Sequence, residues 1–188
     1  MISHFTLNLP FLLNFCNKCG HTVKYQEVPD DHRKRYVCTH CETIHYQNPN
    51  IVTGALPIWE DKVLLCKRGI QPRIGYWNVP GGYLENGETV EEGAVREVYE
   101  ETLTTVEIIG LHTVYSIPRI NQVYMHFLAN LKTLDYQITP ESTEIELFTE
   151  AEIPWNDIAF PSSKFTLKKF FEDRKKGIRE VHLGRFDW

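Results

Sequence analysis

The chain has 188 residues, 42% hydrophobic and 24% charged, and a formal net charge of −5 from 20 basic and 25 acidic side chains. That length suits one ordinary domain with a small appendage, enough to bury a core without disulfide staples. The acidic balance argues against general binding to nucleic-acid backbones, which needs a positive surface, and implies that an anionic substrate is met through bound cations.

From the N-terminus, residues 1–15 read as an extension with an apolar piece at Leu9 to Leu13. It carries no Lys or Arg, contains Pro10 and offers no small-residue cleavage site, so it does not read as a secretory signal. No run reaches the roughly 18 apolar residues of a membrane helix, so no membrane partner is expected and the protein is expected in the cytoplasm. Next come Cys16-x2-Cys19 and Cys38-x2-Cys41. Two residues between cysteines let both thiolates point into one tetrahedron, and a second knuckle across a short hairpin closes the shell around a structural Zn2+. Two redox dithiols are the competing reading. The segment 16–47 is short of aliphatic residues and has no core of its own, so it is expected to be a zinc ribbon. Asn48-Pro49-Asn50 reads as a hinge, with the main domain over 48–188.

Strands are predicted at Ile51 to Pro57, Val63 to Lys67, Thr105 to Ile117, Val123 to Leu131 and Glu144 to Phe148, all rich in β-branched, aromatic and aliphatic residues. Trp59-Glu60-Asp61 makes a tight connection between the first two. Cys66, alone in its apolar run, is expected to pack as a small hydrophobe. A helix is predicted from about Thr89 to Thr102 on the stripe Val90, Ala94, Val95 and Val98. A second one is expected to start behind Ser162 or Ser163 and to end before Gly177, burying Leu167, Phe170 and Phe171.

The first helix carries the chemistry. Glu97, Glu100 and Glu101 are spaced i, i+3, i+4, so three carboxylates share a face, expected opposite the apolar stripe. Like charges so placed repel, and divalent cations turn that repulsion into attraction; hard oxygen ligands suit Mg2+ or Mn2+. Taken alone, the helix is equally a solvated acidic face. Gly81-Gly82 before it lets the backbone approach a metal or phosphate closely.

The run Gly82-x5-Glu88-x7-Arg96-Glu97-Val98-x-Glu100-Glu101 resembles the Nudix box, Gx5Ex7REUxEExGU. It departs at the end, where Leu103 stands for the last glycine and Thr104 for the last apolar position, which suggests a different helix exit. With the four cysteines, Gly75 to Gly82 and the tail from Phe160-Pro161, the chain is similar to zinc-ribbon Nudix hydrolases over most of its length from Cys16. The resemblance implies an α+β fold, a mixed β-sheet sandwiched between α-helices and preceded by the ribbon. It also implies that Glu97, Glu100 and Glu101 bind Mg2+, that the Gly82 carbonyl adds a ligand, and that Arg96, partnered by Glu88, orients the glutamates. The general base is sought in the loop around Glu141, Glu144 and Glu146, with Glu144 favoured; an ordinary acidic loop is the alternative.

The implied reaction is cleavage of ADP-ribose to AMP and ribose 5-phosphate, or of FAD to AMP and FMN, by a homodimer. Trp77 and Tyr76, with Tyr83, are candidates to stack on a base, though aromatics beside a tight turn are as often core. Arg119 is a candidate phosphate ligand. Pro118, fifteen positions past Leu103, agrees with an ADP-ribose enzyme. A proline-aromatic signature of NADH pyrophosphatases has no counterpart in Tyr115 to Asn121, which lowers that reading. Two further alternatives are a nucleoside triphosphate pyrophosphatase and a non-catalytic nucleotide sensor whose ribbon binds a partner. A sensor would tolerate degenerate box glutamates, and none are degenerate here.

Overall fold

A computed structural model describes residues 12–186, which divide into two compact units on either side of Asn48 and Pro49. Most of the expected N-terminal extension lies outside the described residues. Its end does not stand apart: Phe15 bridges to Thr22 and the Val23 amide donates to the Asn14 carbonyl (3.1 Å), so the first unit starts slightly earlier than expected.

The first unit is a three-stranded antiparallel sheet, β1 (Val23–Gln26), β2 (Arg35–Cys38) and β3 (Ile44–His45). Its four cysteine sulfurs converge, with Sγ separations of 3.4 Å for Cys19–Cys38 and Cys19–Cys41 and 3.7 Å for Cys16–Cys41. A tetrahedron with Zn–S bonds of about 2.3 Å has edges of roughly 3.8 Å, so the four thiols fit zinc. Amides of Lys18, His40 and Cys41 point at the sulfurs at 3.4 Å, and the Thr43 hydroxyl and amide hold the Cys41 thiol down to about 6. Such donors favour the thiolate that binds metal.

The second unit is built on an eight-stranded mixed sheet: β4 (Asn50–Trp59), β5 (Lys62–Arg68), β6 (Trp77–Asn78), β7 (Gly81–Tyr83), β8 (Val106–Ile117), β9 (Gln122–Leu131), β10 (Ser142–Phe148) and β11 (His182–Arg185). The order is β10-β5-β4-β9-β8-β11, with β6 on β5 and β7 on β4. β4–β9 and β8–β11 are parallel and the other pairs antiparallel. Successive strand side chains point to opposite faces, so each central strand feeds two cores. Leu56, Val63, Leu65 and Leu128 pack under helix α2 (Pro161–Lys176) against Leu167, Phe170 and Phe171. Their neighbours Ala55, Leu64, Cys66, Phe127 and Ala129 pack under helix α1 (Val90–Thr102) against Ala94 and Val98. The sheet lies between the helices, as the box resemblance implies.

Helix α1 starts at a capping box, in which the Glu92 amide donates to Thr89 Oγ1 (3.2 Å) and the Thr89 amide to Glu92 Oε2 (2.8 Å). Its exit corrects an expectation. Leu103 takes the left-handed conformation (φ 56°) that a glycine would take, its amide donating to the Tyr99 carbonyl at 2.7 Å. The exit is therefore retained, at a cost of roughly 1–2 kcal/mol for a side chain in that region. Helix α2 starts at Pro161 with Phe160 as its cap rather than a serine. Proline's fixed φ suits the first helical position, and Ser163 is drawn inward to donate to Asn78 Oδ1 at 2.6 Å.

Candidate active site

A cavity of about 910 Å3 opens beside the C-terminal half of α1. It draws on β5 and the loop after it (Arg68, Arg73), β7 (Gly81, Gly82, Tyr83), α1 (Arg96, Glu97, Glu100, Glu101), β9 (Gln122, Tyr124), the approach to β10 (Glu141) and the chain entering α2 (Phe160). Strand order puts β7 and β9 on either side of β4 and β10 on β5, and α1 crosses above them.

The three helix carboxylates are not alike. Glu97 and Glu101 are buried beside the apolar stripe rather than opposite it, and only Glu100 faces solvent. Burial pushes the Glu101 carboxyl up to about 8, its strongest counterweight being a long hydrogen bond from the Gly81 amide (3.3 Å). Burial also raises Glu97, against the pull of Arg96. Buried carboxylates are costly unless paired with cations. Arg96 serves only part of the group: it donates to Glu97 Oε1 at 2.7 Å, Glu100 Oε2 at 3.1 Å, the Tyr83 carbonyl at 3.0 Å and both Glu88 oxygens at 2.7 and 3.0 Å. Arg96 and the Glu85 amide hold Glu88 down to about 2. Among the described residues Glu101 has no hydrogen-bonded cation, and it lines the cavity, where a hard divalent ion would neutralise it. The carboxylates spread along the wall and do not close into one ligand shell among the described residues.

Gly82 completes this wall. A Cβ there would stand 2.5–2.6 Å from the Glu97 carboxylate, so glycine is what lets that carboxylate lie directly against the β7 backbone.

The structure separates the other predicted residues. Trp77 is buried edge-on against Phe148 in the α2-side core, because β6 pairs with β5 and turns its ring inward. Tyr76 lies under Arg73 (5.5 Å) and Arg119 is exposed on the 3-10 turn Pro118–Ile120; neither lines the cavity. Tyr83 does line it, its hydroxyl accepting from Gln122 Nε2 at 2.7 Å, and Tyr124 donates to the same Gln122. Glu144 stands on β10 in an ion pair with Lys67 (2.9 Å), away from the cavity, whereas Glu141 lines it. Sequence reasoning passed over Arg68, which sits 5.1 Å above the Phe160 ring and donates to the Pro72 carbonyl at 2.8 Å, and also Arg73. A cluster of arginines near the glycine turn was the available signal.

Residues 49–173 match the NUDIX domain family and residues 14–47 the Nudix N-terminal family, a zinc ribbon. An ADP-ribose pyrophosphatase of Methanocaldococcus jannaschii is 32% identical over 123 residues, 63% of this chain and 72% of that protein. An NAD-capped RNA hydrolase, NudC, of Haemophilus influenzae is 31% identical over 133 residues, covering 70% of this chain but 48% of its own length, so the chain spans about half of such relatives. A crystal structure of a NUDIX hydrolase from Nitrosomonas europaea superposes with a TM-score of 0.90 at 48% identity, over 94% of this chain and all of that one.

Proposed function

The chain belongs to the NUDIX family of hydrolases, which act on phosphoanhydride bonds, and from its cavity we propose that it cleaves ADP-ribose to AMP and ribose 5-phosphate, with FAD as a related substrate giving AMP and FMN. The observation that carries this reading is that Glu97, Glu100 and Glu101 line one cavity together with Arg68 and Arg73. Its 910 Å3 lies at the upper end of the roughly 300–1,000 Å3 of small-molecule sites, room for two linked nucleoside-like halves.

In this reading Glu97, Glu100 and Glu101, with the Gly82 carbonyl, hold Mg2+ or Mn2+. Such ions supply Lewis-acid polarisation of the anhydride and acidify a water. Arg96 fixes the directions of Glu97 and Glu100, so the wall is preorganised before substrate arrives. Arg68 and Arg73 bind the diphosphate oxygens, and Phe160, Tyr83 and Tyr124 offer aromatic surface to a ring. Glu141 replaces Glu144 as the proposed base, because it faces the cavity and is not engaged by Lys67. A homodimer in the cytoplasm remains part of the proposal through the family resemblance.

A second reading, hydrolysis of NADH or another NAD-like dinucleotide, is favoured by the relatives named NAD-capped RNA hydrolases. Product analysis with Mg2+ and ADP-ribose, FAD, NADH and nucleoside triphosphates separates the two. Faster release of AMP from ADP-ribose or FAD than from NADH supports the first reading. Turnover of NADH alone favours the second, and no product from any of them leaves the domain a nucleotide sensor.

A further inference from the structure

The three imidazole and carboxylate side chains His112, Asp173 and His182 lie outside the cavity and take no part in the reaction proposed above. They come from three elements. His112 is on β8, Asp173 near the end of α2, and His182 opens β11, where it pairs in register with Thr113. Each presents a ligand atom, and these atoms lie within 4.8 Å of one another. His182 Nε2 is 2.8 Å from Asp173 Oδ2, and His112 Nδ1 is 4.0 Å from the same oxygen. The two imidazole rings stand 5.4 Å apart, nearly perpendicular (81°).

A hydrogen-bonded His182–Asp173 pair accounts for two of these groups and leaves His112 over. The His112 side chain is fully buried; backbone groups of Thr166 and Glu180 lie beside the ring, yet among the described residues neither ring nitrogen has a hydrogen bond of good geometry. An imidazole stripped of water with its nitrogens poorly satisfied is costly to keep buried. A ring held in that state beside a carboxylate and a second imidazole is arranged as a ligand. With metal–nitrogen and metal–oxygen bonds of about 2.0–2.2 Å, neighbouring ligand atoms stand roughly 2.9–3.5 Å apart. The observed 2.8 and 4.0 Å straddle that span, so a swing of the His112 ring by under about 1 Å brings its Nδ1 to ligand spacing from Asp173 Oδ2.

We infer that His112, Asp173 and His182 form a second metal site, for a divalent transition ion of the zinc class, that staples β11 to β8 and to the end of α2. Two imidazoles and one carboxylate suit zinc, cobalt or nickel and are a poor match for magnesium, which prefers all-oxygen shells. His182 is the most exposed of the three and gives the ion a way in. The fourth position is left to water.

The test uses the full chain with its cysteine site loaded with zinc and with saturating Mg2+ at the α1 carboxylates. Co2+ is then added while metal content, visible absorption and the histidine side-chain nitrogen resonances are followed. The site takes up a single further equivalent without a thiolate charge-transfer band, and the His112 and His182 resonances move together. His182→Gln abolishes that equivalent and lowers the metal-dependent rise in Tm. Should the variant fail to fold, the two wild-type histidine resonances decide alone. No further uptake, or uptake that leaves both histidines unmoved, overturns the site and leaves a hydrogen-bonded pin.

Discussion

Replacing Gly82 with alanine tests how the wall of carboxylates is held. Gly82 is not in the left-handed region, so alanine is allowed by the backbone and should stabilise the metal-free fold slightly, by about 0.4–1 kcal/mol, through the unfolded chain. The added Cβ meets Glu97 Oε2 at 2.5 Å where ordinary contact begins at 3.4 Å, so the carboxylate must retreat by about 0.9 Å. It is the free end of a side chain, but Arg96 grips it at 2.7 Å, and the two move together. A misplacement near 1 Å costs roughly a hundredfold in turnover. Initial rates of AMP formation against Mg2+ concentration, alongside thermal unfolding without metal, separate the effects. The expected result is a loss of kcat and weaker Mg2+ dependence at unchanged or higher Tm. Wild-type rates in Gly82→Ala would refute the placement of Glu97 in the reacting centre, and a large loss of Tm would mean the glycine serves the fold.

Glu141→Gln should lower kcat by about 10²–10⁴-fold, the usual contribution of a general base, while Glu144→Gln stays near wild type; steady-state rates of both variants decide between them. Leu103→Gly should stabilise the protein by about 1 kcal/mol in thermal or urea unfolding, because the exposed leucine loses little packing and the strained conformation is relieved. His126 is buried against Thr166 (2.7 Å), and burial pushes it down from 6.5 to about 4. The unfolded chain then binds more protons between those values, so stability is full above pH 6.5 and falls as pH drops towards 4, by up to about 3 kcal/mol at ~1.4 kcal/mol per unit. Urea unfolding across that range should lose this slope in His126→Gln; an unchanged slope would place the effect elsewhere.

What could be read from the sequence was whatever lies within one element. Glu97, Glu100 and Glu101 share a turn and a half of helix, and Arg96 and Glu88 follow from the same spacing, so the carboxylate wall was legible. The cysteine knuckles are equally local. The remaining wall was not, because Arg68, Tyr124, Glu141 and Phe160 meet only through the strand order β10-β5-β4-β9. Glu141 and Glu144 stand in one acidic stretch; they are told apart by the register that sets Glu144 opposite Lys67 and leaves Glu141 at the open end of β10. Trp77 misled for a related reason. Beside a glycine turn it resembles a stacking platform, and only the pairing of Lys67 with Trp77 shows the ring turned into the core. Leu103 shows how tertiary context overrides preference: the chain folds a leucine into a glycine's conformation because the turn into β8 requires it.

The most direct test of the central claim is the rate of AMP formation from ADP-ribose by Glu100→Gln in saturating Mg2+. Glu100 is exposed and meets only one of the bonds of Arg96, whose contacts to Glu88 and Glu97 remain, so the fold should be intact. The account predicts a folded protein with turnover lost by at least about a hundredfold, a single well-placed electrostatic ligand being worth that much. A folded Glu100→Gln protein with undiminished turnover would contradict the assignment of the α1 carboxylates as the catalytic metal site.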